Sequence, residues 1–419
     1  MTERDVDAAI EAVWRIESPR MIATLARALR NVGLAEEIAQ DAFIAAITQW
    51  PQTGVPRNPG AWLTSVAKRR AIDLLRRERR FEHKRDEIGR ELESERLHED
   101  PFEAALDEDV GDDLLGLMFV ACHPVLSPEG RVALTLRLLG GLTTSEIARA
   151  FLIAEPAVAQ RIVRAKRTLA EARVPFEIPD AGERRRRLSS VLEVLYLIFN
   201  EGYAASAGDD VMRPGLCEDA LRLGRVLAEL APGEPEVHGL VALMELQASR
   251  AKARVDSEGE PILLLDQDRG RWDHLLVGRG LTALSRAEKL GGALGPYALQ
   301  AAIAACHARA RTAAETAWPR IAALYDALAA IEPSPVIELN RAVAVGMAFG
   351  PVAGLEILDA LASEPALAAY HLLPSARANF LEQLGRITEA RAEFNRAASL
   401  TNNARDRATL LRRAAALRL

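Results

Sequence analysis

The spacing of apolar residues predicts helices along almost the whole chain. Apolar positions recur every three to four residues over 6–32, 34–50 and 61–80, which is the period of a helix that buries one face. A stretch rich in proline and glycine, 51–60, separates the second helix from the third and predicts a loop. The third helix leaves a row of arginines outside its apolar stripe: Arg69, Arg70, Arg76, Arg77 and Arg80.

A second helical module has the spacing of a helix-turn-helix. A short helix over 142–151 opens at a threonine or serine cap, and a tight connection over 152–154 leads to a second helix with Pro156 at its start. Leu152 stands where many such turns carry glycine. One face of the second helix is predicted to be core, through Val158, Ile162, Ala165 and Leu169. An ordinary helical hairpin is the alternative interpretation of this pattern.

The remainder of the chain is also predicted to be helical, with a weak repeat. Residues 188–203 indicate a buried helix. Turn, small and aromatic positions then follow a period near 34–35 residues, which is typical of tetratricopeptide-like helix pairs. The positions that carry this pattern are Tyr325, Pro333, Gly350, Leu355, Ala362, Gly385, Ala390, Phe394 and Ala397. The predicted fold class is therefore all-α, ending in a helical-repeat domain.

Charge is segregated along the chain, although the net charge is only −6. Residues 57–85 hold ten Lys/Arg against three acids, residues 86–113 hold thirteen acids against two arginines, and residues 131–173 hold eight Lys/Arg against three acids. Two basic modules separated by an acidic linker favour a nucleic-acid partner. The predicted domains are 1–85, a linker over 86–113, 114–175, and an extension over 183–419.

Several other function classes lack a supporting motif. No nucleophile elbow, phosphate loop or HExxH motif is present, so neither catalysis nor a cofactor is expected. Cys122, Cys217 and Cys306 are far apart, which excludes a disulfide framework and fits a reducing cytoplasm, and no segment is long and apolar enough to span a membrane. The pairs Cys122–His123 and Cys306–His307 are expected to be buried structural residues rather than metal ligands. The polar cluster over 266–273 is either a functional loop or a solvated loop between repeats.

At this point three segments together resemble extracytoplasmic-function (ECF) sigma factors of RNA polymerase. Residues 33–43 with Trp50 resemble their polymerase-binding region, residues 62–77 resemble their minus-ten recognition helix, and the helix-turn-helix resembles their minus-thirty-five reader. Arg69 stands where that family usually has asparagine. The extension, with residues 121–124 and 200–203, resembles the subgroup that carries a C-terminal tetratricopeptide domain. The resemblance implies core RNA polymerase and promoter DNA as partners.

The resemblance and the helical faces together give candidate site residues. The predicted polymerase-binding residues are Glu36, Glu37, Gln40, Asp41, Phe43 and Ile44. The predicted minus-ten DNA-binding residues are Asn58, Trp62, Arg69, Arg70, Asp73, Arg76 and Arg77. The predicted minus-thirty-five DNA-binding residues are Thr144, Ser145, Glu155, Pro156, Ala157, Gln160, Arg161, Arg164, Lys166 and Arg167. Trp62 is equally well interpreted as a core residue.

Two other functions compete with a sigma factor. A one-component regulator would bind an operator through the helix-turn-helix and sense a ligand or protein through the extension. A scaffold would rely on its helical repeats alone. The polymerase-binding and minus-ten segments distinguish the first alternative, because an operator-binding protein needs neither. The intact basic helices count against the second.

Overall fold

The computed structural model describes residues 3–86, 110–204, 212–258 and 260–417, and these residues contain eighteen α-helices and no strand. An isolated antiparallel bridge between Val255 and Pro261 is the exception to an all-helical backbone in these ranges. The predicted all-α class is therefore confirmed. The chain divides into two units, Met1–Val194 and Leu195–Leu419.

The first unit contains α1 to α7 and the start of α8. The bounds are α1 Glu3–Leu29, α2 Val32–Thr53, α3 Pro59–Asp86, α4 Val110–Ala121, α5 Pro128–Leu138, α6 Thr144–Phe151, α7 Glu155–Glu171 and α8 Ala181–Tyr203. Helices α1 to α3 form the first module, in which α1 packs against both of the others. Helices α4 to α7 form the second module, in which α5 and α6 pack against α7. Both modules bury aliphatic residues at the predicted helical period.

The predicted loop over 51–60 is wrong in its extent. Helix α2 continues through Pro51 to Thr53, and α3 already begins at Pro59. A proline in the last turn removes only its own hydrogen bond, so the helix ends later, at Gly54. Gly54 adopts a positive φ of 82° and donates its N–H to the carbonyl of Trp50 at 2.9 Å, which closes the last turn.

Most of the predicted acidic linker, residues 87–109, lies outside the described residues. Its last positions are helical, since α4 begins at Val110. Asp113, placed in the linker by its charge, is buried in α4 and forms an ion pair with Arg27 of α1, with 2.5 Å between Oδ1 and Nε. The charge pattern of the linker does not predict that Asp113 is buried, because its partner Arg27 lies in another module.

The second unit consists of the end of α8 and ten further helices. Their bounds are α9 Pro214–Leu230, α10 Pro235–Ala248, α11 His274–Lys289, α12 Pro296–Arg309, α13 Trp318–Ile331, α14 Pro335–Phe349, α15 Pro351–Ala360, α16 Leu372–Gln383, α17 Ile387–Leu400 and α18 Ala404–Ala416. From α9 onwards each helix packs against the next one in sequence. In the last helices Phe380 and Phe394 are fully buried, and Gly385 has a positive φ of 72° at the turn before α17.

Candidate polymerase and DNA interfaces

Helix α6 begins with a reciprocal cap. Thr143 Oγ1 accepts a hydrogen bond from the Glu146 N–H at 3.1 Å, and Glu146 Oε2 accepts one from the Thr143 N–H at 2.8 Å. Because this capping box fixes the first turn, the prediction of a helix opened by a threonine or serine cap is confirmed, and the cap is Thr143.

The turn of the helix-turn-helix contains a strained leucine. Leu152 adopts the left-handed conformation, with φ 51° and ψ 42°, and its side chain is 55% exposed. The N–H of the next residue, Ile153, donates to the carbonyl of Ala148 at 3.1 Å. The left-handed region favours glycine, so the absence of glycine here costs conformational energy.

The buried face of α7 is the predicted one, since Val158, Ile162, Ala165 and Leu169 are all buried. The opposite face carries the residues predicted to contact DNA. Of the predicted minus-thirty-five DNA-binding residues, five are exposed: Glu155, Pro156, Gln160, Arg164 and Arg167. The other five are half-buried: Thr144, Ser145, Ala157, Arg161 and Lys166. The exposed cations on this face suit a polyanionic partner.

Helix α3 presents the other basic face. Arg69, Asp73, Arg76 and Arg77 are exposed, while Leu63, Ala67 and Ala71 are buried against the first module. The two alanines were missed by a pattern based on large apolar residues. Among the predicted minus-ten residues, Arg70 differs because its Nη1 lies 3.1 Å from Asp41 Oδ2 of α2.

Asn58 and Trp62 have structural contacts at the start of α3. Asn58 Oδ1 accepts a hydrogen bond from the Ala61 N–H at 3.1 Å, so Asn58 caps the helix. Trp62 is half-buried, and its ring meets the edge of the buried Trp50 ring with 5.4 Å between centroids. Trp62 therefore contributes to the core with one part of its ring and leaves the rest accessible.

The predicted polymerase-binding residues separate into two groups. Glu37, Asp41 and Ile44 lie on the exposed side of α2, and the Ile44 side chain is 58% exposed. Phe43 is half-buried against Trp14, with 4.5 Å between ring centroids. An exposed acidic and apolar strip exists, but it does not include the first residue of the predicted set.

Glu36 is not on the exposed strip, contrary to the sequence-based expectation. Its side chain is buried, with 2% of its surface accessible, because α5 and α7 of the second module cover it. Glu36 Oε1 accepts hydrogen bonds from Arg137 Nε at 2.7 Å and from Gln40 Nε2 at 2.5 Å, and Glu36 Oε2 forms an ion pair with Lys166. Lys166, expected to bind DNA phosphates, is thus half-buried and paired within the protein.

The electrostatics of Glu36 favour its ionised form. Burial raises the pKa of this carboxyl, but the cations of Lys166 and Arg137 outweigh the effect of burial. The pKa therefore lies below its usual value of 4.5, and the carboxylate holds two cations of the second module.

Beside this contact lies an open groove of about 590 Å³ between the two modules. The predicted polymerase-binding residues Gln40, Phe43 and Ile44 line one wall, and Glu146 and Arg149 of α6 line the other. Glu146 Oε1 accepts a hydrogen bond from Arg15 Nη2 at 2.5 Å. The candidate polymerase surface and the first helix of the helix-turn-helix thus share one groove.

The sequence predicts that the extension touches the second module, but it does not identify the polar side chains through which the start of α8 is attached. Arg187 donates to the carbonyl of Phe119 at 3.1 Å, and Ser190 Oγ donates to the carbonyl of Cys122 at 2.6 Å. Arg131 Nη1 in turn donates to Ser190 Oγ at 2.6 Å and to Glu193 Oε2 at 2.8 Å. Arginine and serine in a polar run give no periodic signal, so only the fold identifies them as packing residues.

The three cysteines and His307 lie in the interior, whereas His123 is half-buried, which differs from the expectation for that pair. Cys122, Cys217 and Cys306 are free and buried, and burial raises the pKa of the Cys122 and Cys217 thiols to about 12. Within the described ranges, no group of three or more His, Cys, Asp or Glu residues is arranged to hold a metal ion. No helix among the same residues is long and apolar enough to cross a membrane.

Comparison with known protein families matches three regions of the chain. Residues 14–81 match sigma-70 region 2, and residues 117–169 match sigma-70 region 4. Residues 187–288 match a family of unknown function, DUF6596. The first module and the helix-turn-helix therefore define a protein of the sigma-70 class, and these regions imply sigma-factor function with core polymerase and promoter DNA as binding partners. Sigma-70 regions belong to a non-enzymatic family.

One relative extends the comparison over most of the chain. An "Uncharacterized protein R00370" of Rhizobium meliloti (strain 1021) is 44% identical over 392 residues, which cover 93% of this chain and 91% of the relative. The chain belongs to the same family as that protein. In this chain, sigma-70 regions 2 and 4 are followed by the DUF6596 match. An "ECF RNA polymerase sigma factor SigK" of Mycobacterium sp. (strain KMS) is 33% identical over 93 residues, 21% of this chain and 46% of that relative. No solved structure matches the chain.

Proposed function

We propose that the chain is an ECF sigma factor that directs promoter-specific transcription initiation. The observation that carries the proposal is the match to regions 2 and 4 in the family's order, on modules that both present exposed cations. A one-component regulator would use the helix-turn-helix but has no use for a polymerase-binding region. The proposal therefore explains both modules, whereas the alternative explains one.

The polymerase-binding surface is assigned to the exposed strip of α2. Glu37 and Asp41 lie one helical turn apart, and Ile44 follows on the same side. Acidic residues beside an exposed apolar residue suit a basic helical segment of a partner protein. Gln40 and Phe43 border this strip in the groove.

The DNA-binding surfaces are assigned to α3 and α7. On α3 the arginines at 69, 76 and 77 are exposed and suited to phosphates, with Trp62 providing an accessible ring edge beside them. On α7 the exposed Gln160 and the half-buried Arg161 lie near the helix start, where base contacts are made in such motifs. Arg164 and Arg167 supply sequence-independent attraction.

Polymerase binding is proposed to release the contact between the modules. The groove has the α2 strip as one wall and α6 as the other, so a partner helix on the strip competes with the second module for space. Release also frees Lys166 from Glu36 and returns it to the cationic face of α7. The free protein is thus a closed form whose DNA-reading module opens in the complex.

The C-terminal extension is proposed to be a tetratricopeptide-like domain that regulates or assists initiation. Support comes from the helix pairs that pack in sequence order and from the glycine turn and buried small residues near the C-terminus. Helix α8, Ala181–Tyr203, includes the last residues of the first unit and the first residues of the second.

The test is a pulldown of core RNA polymerase with the purified full-length protein. The wild type is expected to form a 1:1 complex. Charge reversal of both strip acids, Glu37→Lys with Asp41→Lys, is expected to weaken the complex, while Glu229→Lys, an exposed acid on α9, leaves it unchanged. If the wild type does not bind, the proposed function is wrong. If the double variant binds like the wild type, the assignment to α2 is wrong.

A further inference from the structure

The second unit contains a cluster of cations around one buried tryptophan. Trp272 is 4% exposed and follows a short 3-10 turn at Arg269–Arg271. The guanidinium carbons of Arg250 and Arg269 lie 5.4 and 5.3 Å from the centre of its indole ring. His307 of α12 is buried next to them and feels the charge of both arginines. Two positive charges therefore lie close to one buried indole ring.

These two guanidinium groups are held by neutral oxygens. Arg269 donates to the carbonyls of His307 and Ala310 at 2.6 and 2.9 Å and to Thr316 Oγ1 at 2.9 Å. Arg250 donates to the side-chain amide oxygens of Gln247 at 3.0 Å and Gln267 at 3.2 Å. Among the described residues neither arginine forms an ion pair with a carboxylate.

Polar atoms without a hydrogen-bond partner accompany this excess of charge. Trp272 Nε1, Arg269 Nε and His307 Nδ1 are buried, and none of them has a partner within the described part of the chain. A buried N–H group without an acceptor destabilises the fold, so native proteins rarely leave one unpaired. The two N–H donors of Trp272 and Arg269 and the unpaired His307 ring nitrogen, beside two cations without a carboxylate partner, indicate a missing acceptor that carries negative charge.

Nearby groups of the second unit do not supply that charge. Glu315 is close enough to favour the charged form of Arg269, but it is exposed, and its Oε2 accepts a hydrogen bond from the Arg311 N–H at 3.1 Å. Arg254 adds a further cation that disfavours the charged form of Arg250. Burial and the charges of Arg254 and Arg269 together lower the pKa of Arg250, the direction expected when cations lack a counter-charge.

We propose that this cluster, defined by Arg250, Arg269, Trp272 and His307, binds a phosphate-type oxyanion. A dianion balances two guanidinium charges, and its oxygens accept from guanidinium and indole N–H groups, which is the donor chemistry that proteins use for phosphate. Arg250 is half-buried, so the anion enters on its side. Through this site the extension binds a small anion independently of polymerase or DNA binding.

The test is calorimetric titration of the full-length protein with inorganic phosphate, sulfate and ADP at constant ionic strength. Saturable 1:1 binding is expected for phosphate. Stronger binding of ADP than of phosphate would identify a phosphorylated metabolite as the source of the group, whereas binding of phosphate alone would identify the free ion. Absence of saturable binding of all three probes overturns the proposal.

Two variants and one spectrum locate the binding. Arg250→Gln is expected to weaken phosphate binding at least about tenfold, while Arg271→Gln, an exposed arginine in the same turn, leaves it unchanged. Trp272→Phe removes the indole donor and keeps an aromatic ring. It is expected to weaken phosphate binding as well, and it replaces Arg250→Gln in the test if that variant does not fold. In the wild type, phosphate should shift the NMR resonance of the Trp272 indole N–H. Equal affinities for Arg250→Gln and wild type, or an unshifted indole resonance at saturation, overturn the assignment.

Discussion

Glu36 Oε1 of the first module accepts a hydrogen bond from Arg137 Nε of the second at 2.7 Å, across 101 residues of sequence. The carboxylate is buried, whereas Arg137 and Lys166 keep about a fifth of their side-chain surface exposed. The contact therefore joins an inaccessible anion to two partly solvated cations. Its release costs less than that of a fully buried pair, since the cations regain water easily.

The first prediction is that Glu36→Gln opens the closed form. Glutamine keeps the shape but removes the charge, so the contact should lose about 1–3 kcal/mol. The measurement is energy transfer between dyes on cysteines introduced at the exposed positions Gln49 and Ala170. Transfer should fall in Glu36→Gln and stay unchanged in Glu37→Gln, the exposed neighbour. Because the folded pKa of Glu36 is lowered, the wild-type contact should persist above pH 4.5 and be lost as pH falls through the folded value.

The second prediction concerns the strained turn at Leu152. Leu152→Gly removes the penalty of a left-handed conformation, while Leu152→Ala keeps the penalty and loses a similar amount of exposed side chain. The glycine variant should be more stable than the alanine variant by about 1 kcal/mol. Urea denaturation of both variants measures the difference. Equal midpoints would mean that the turn relaxes in solution.

The third prediction separates base reading from phosphate attraction on α7. Arg161→Ala should weaken binding to a cognate minus-thirty-five sequence by about 1–3 kcal/mol and affect scrambled DNA much less. Arg167→Ala should weaken both DNAs equally and reduce the salt dependence. Fluorescence anisotropy at several salt concentrations gives both quantities. Equal losses on both DNAs for Arg161→Ala would reassign it to the backbone.

Local features of the site were predictable from the sequence, and long-range contacts were not. The capping box of Thr143 and Glu146 and the buried face of α7 depend on residues three or four apart, so a single sequence contains the signal. Glu36 and Lys166 meet through the packing of two modules, and local charge patterns assigned each to an external partner. Pro51 predicts the end of a helix, but α2 continues to Thr53 and ends at Gly54. A proline is tolerated in the last turn, and the sequence around Pro51 does not show that this turn is the last one.

The fourth prediction is a pH dependence centred on His307. Burial, with the charges of Arg250 and Arg269, lowers the pKa of His307 to about 4. The unfolded chain then binds a proton that the folded chain does not, so stability is full above pH 6.5 and falls as pH decreases towards 4, by about 3 kcal/mol. Urea denaturation in phosphate-free buffers measures this slope. His307→Gln should lack this part of the slope, whereas His274→Gln, an exposed histidine on α11, should retain it.

The last prediction is that the start of α8 is part of the region 4 module. Ser190 is buried, and its hydroxyl both donates to the Cys122 carbonyl and accepts from Arg131. Ser190→Ala removes the donor to the Cys122 carbonyl and one of the two acceptors of Arg131 Nη1, and should cost about 1–3 kcal/mol. Its neighbour Ser189 is exposed and bonds only within its own helix, to the Arg186 carbonyl, so Ser189→Ala should stay within about 0.5 kcal/mol of wild type.

Urea denaturation of the two serine variants tests this assignment, and its outcome decides how the extension should be removed in transcription assays. A chain cut after Arg173 loses the buried residues Leu188, Val191 and Leu192 together with Ser190, so its region 4 is expected to be damaged. A chain cut after Val194 keeps them. If Ser190→Ala is as stable as Ser189→Ala, α8 is dispensable for the module and the two truncations should behave alike. If it is destabilised as expected, only the cut after Val194 reports on regulation by the extension.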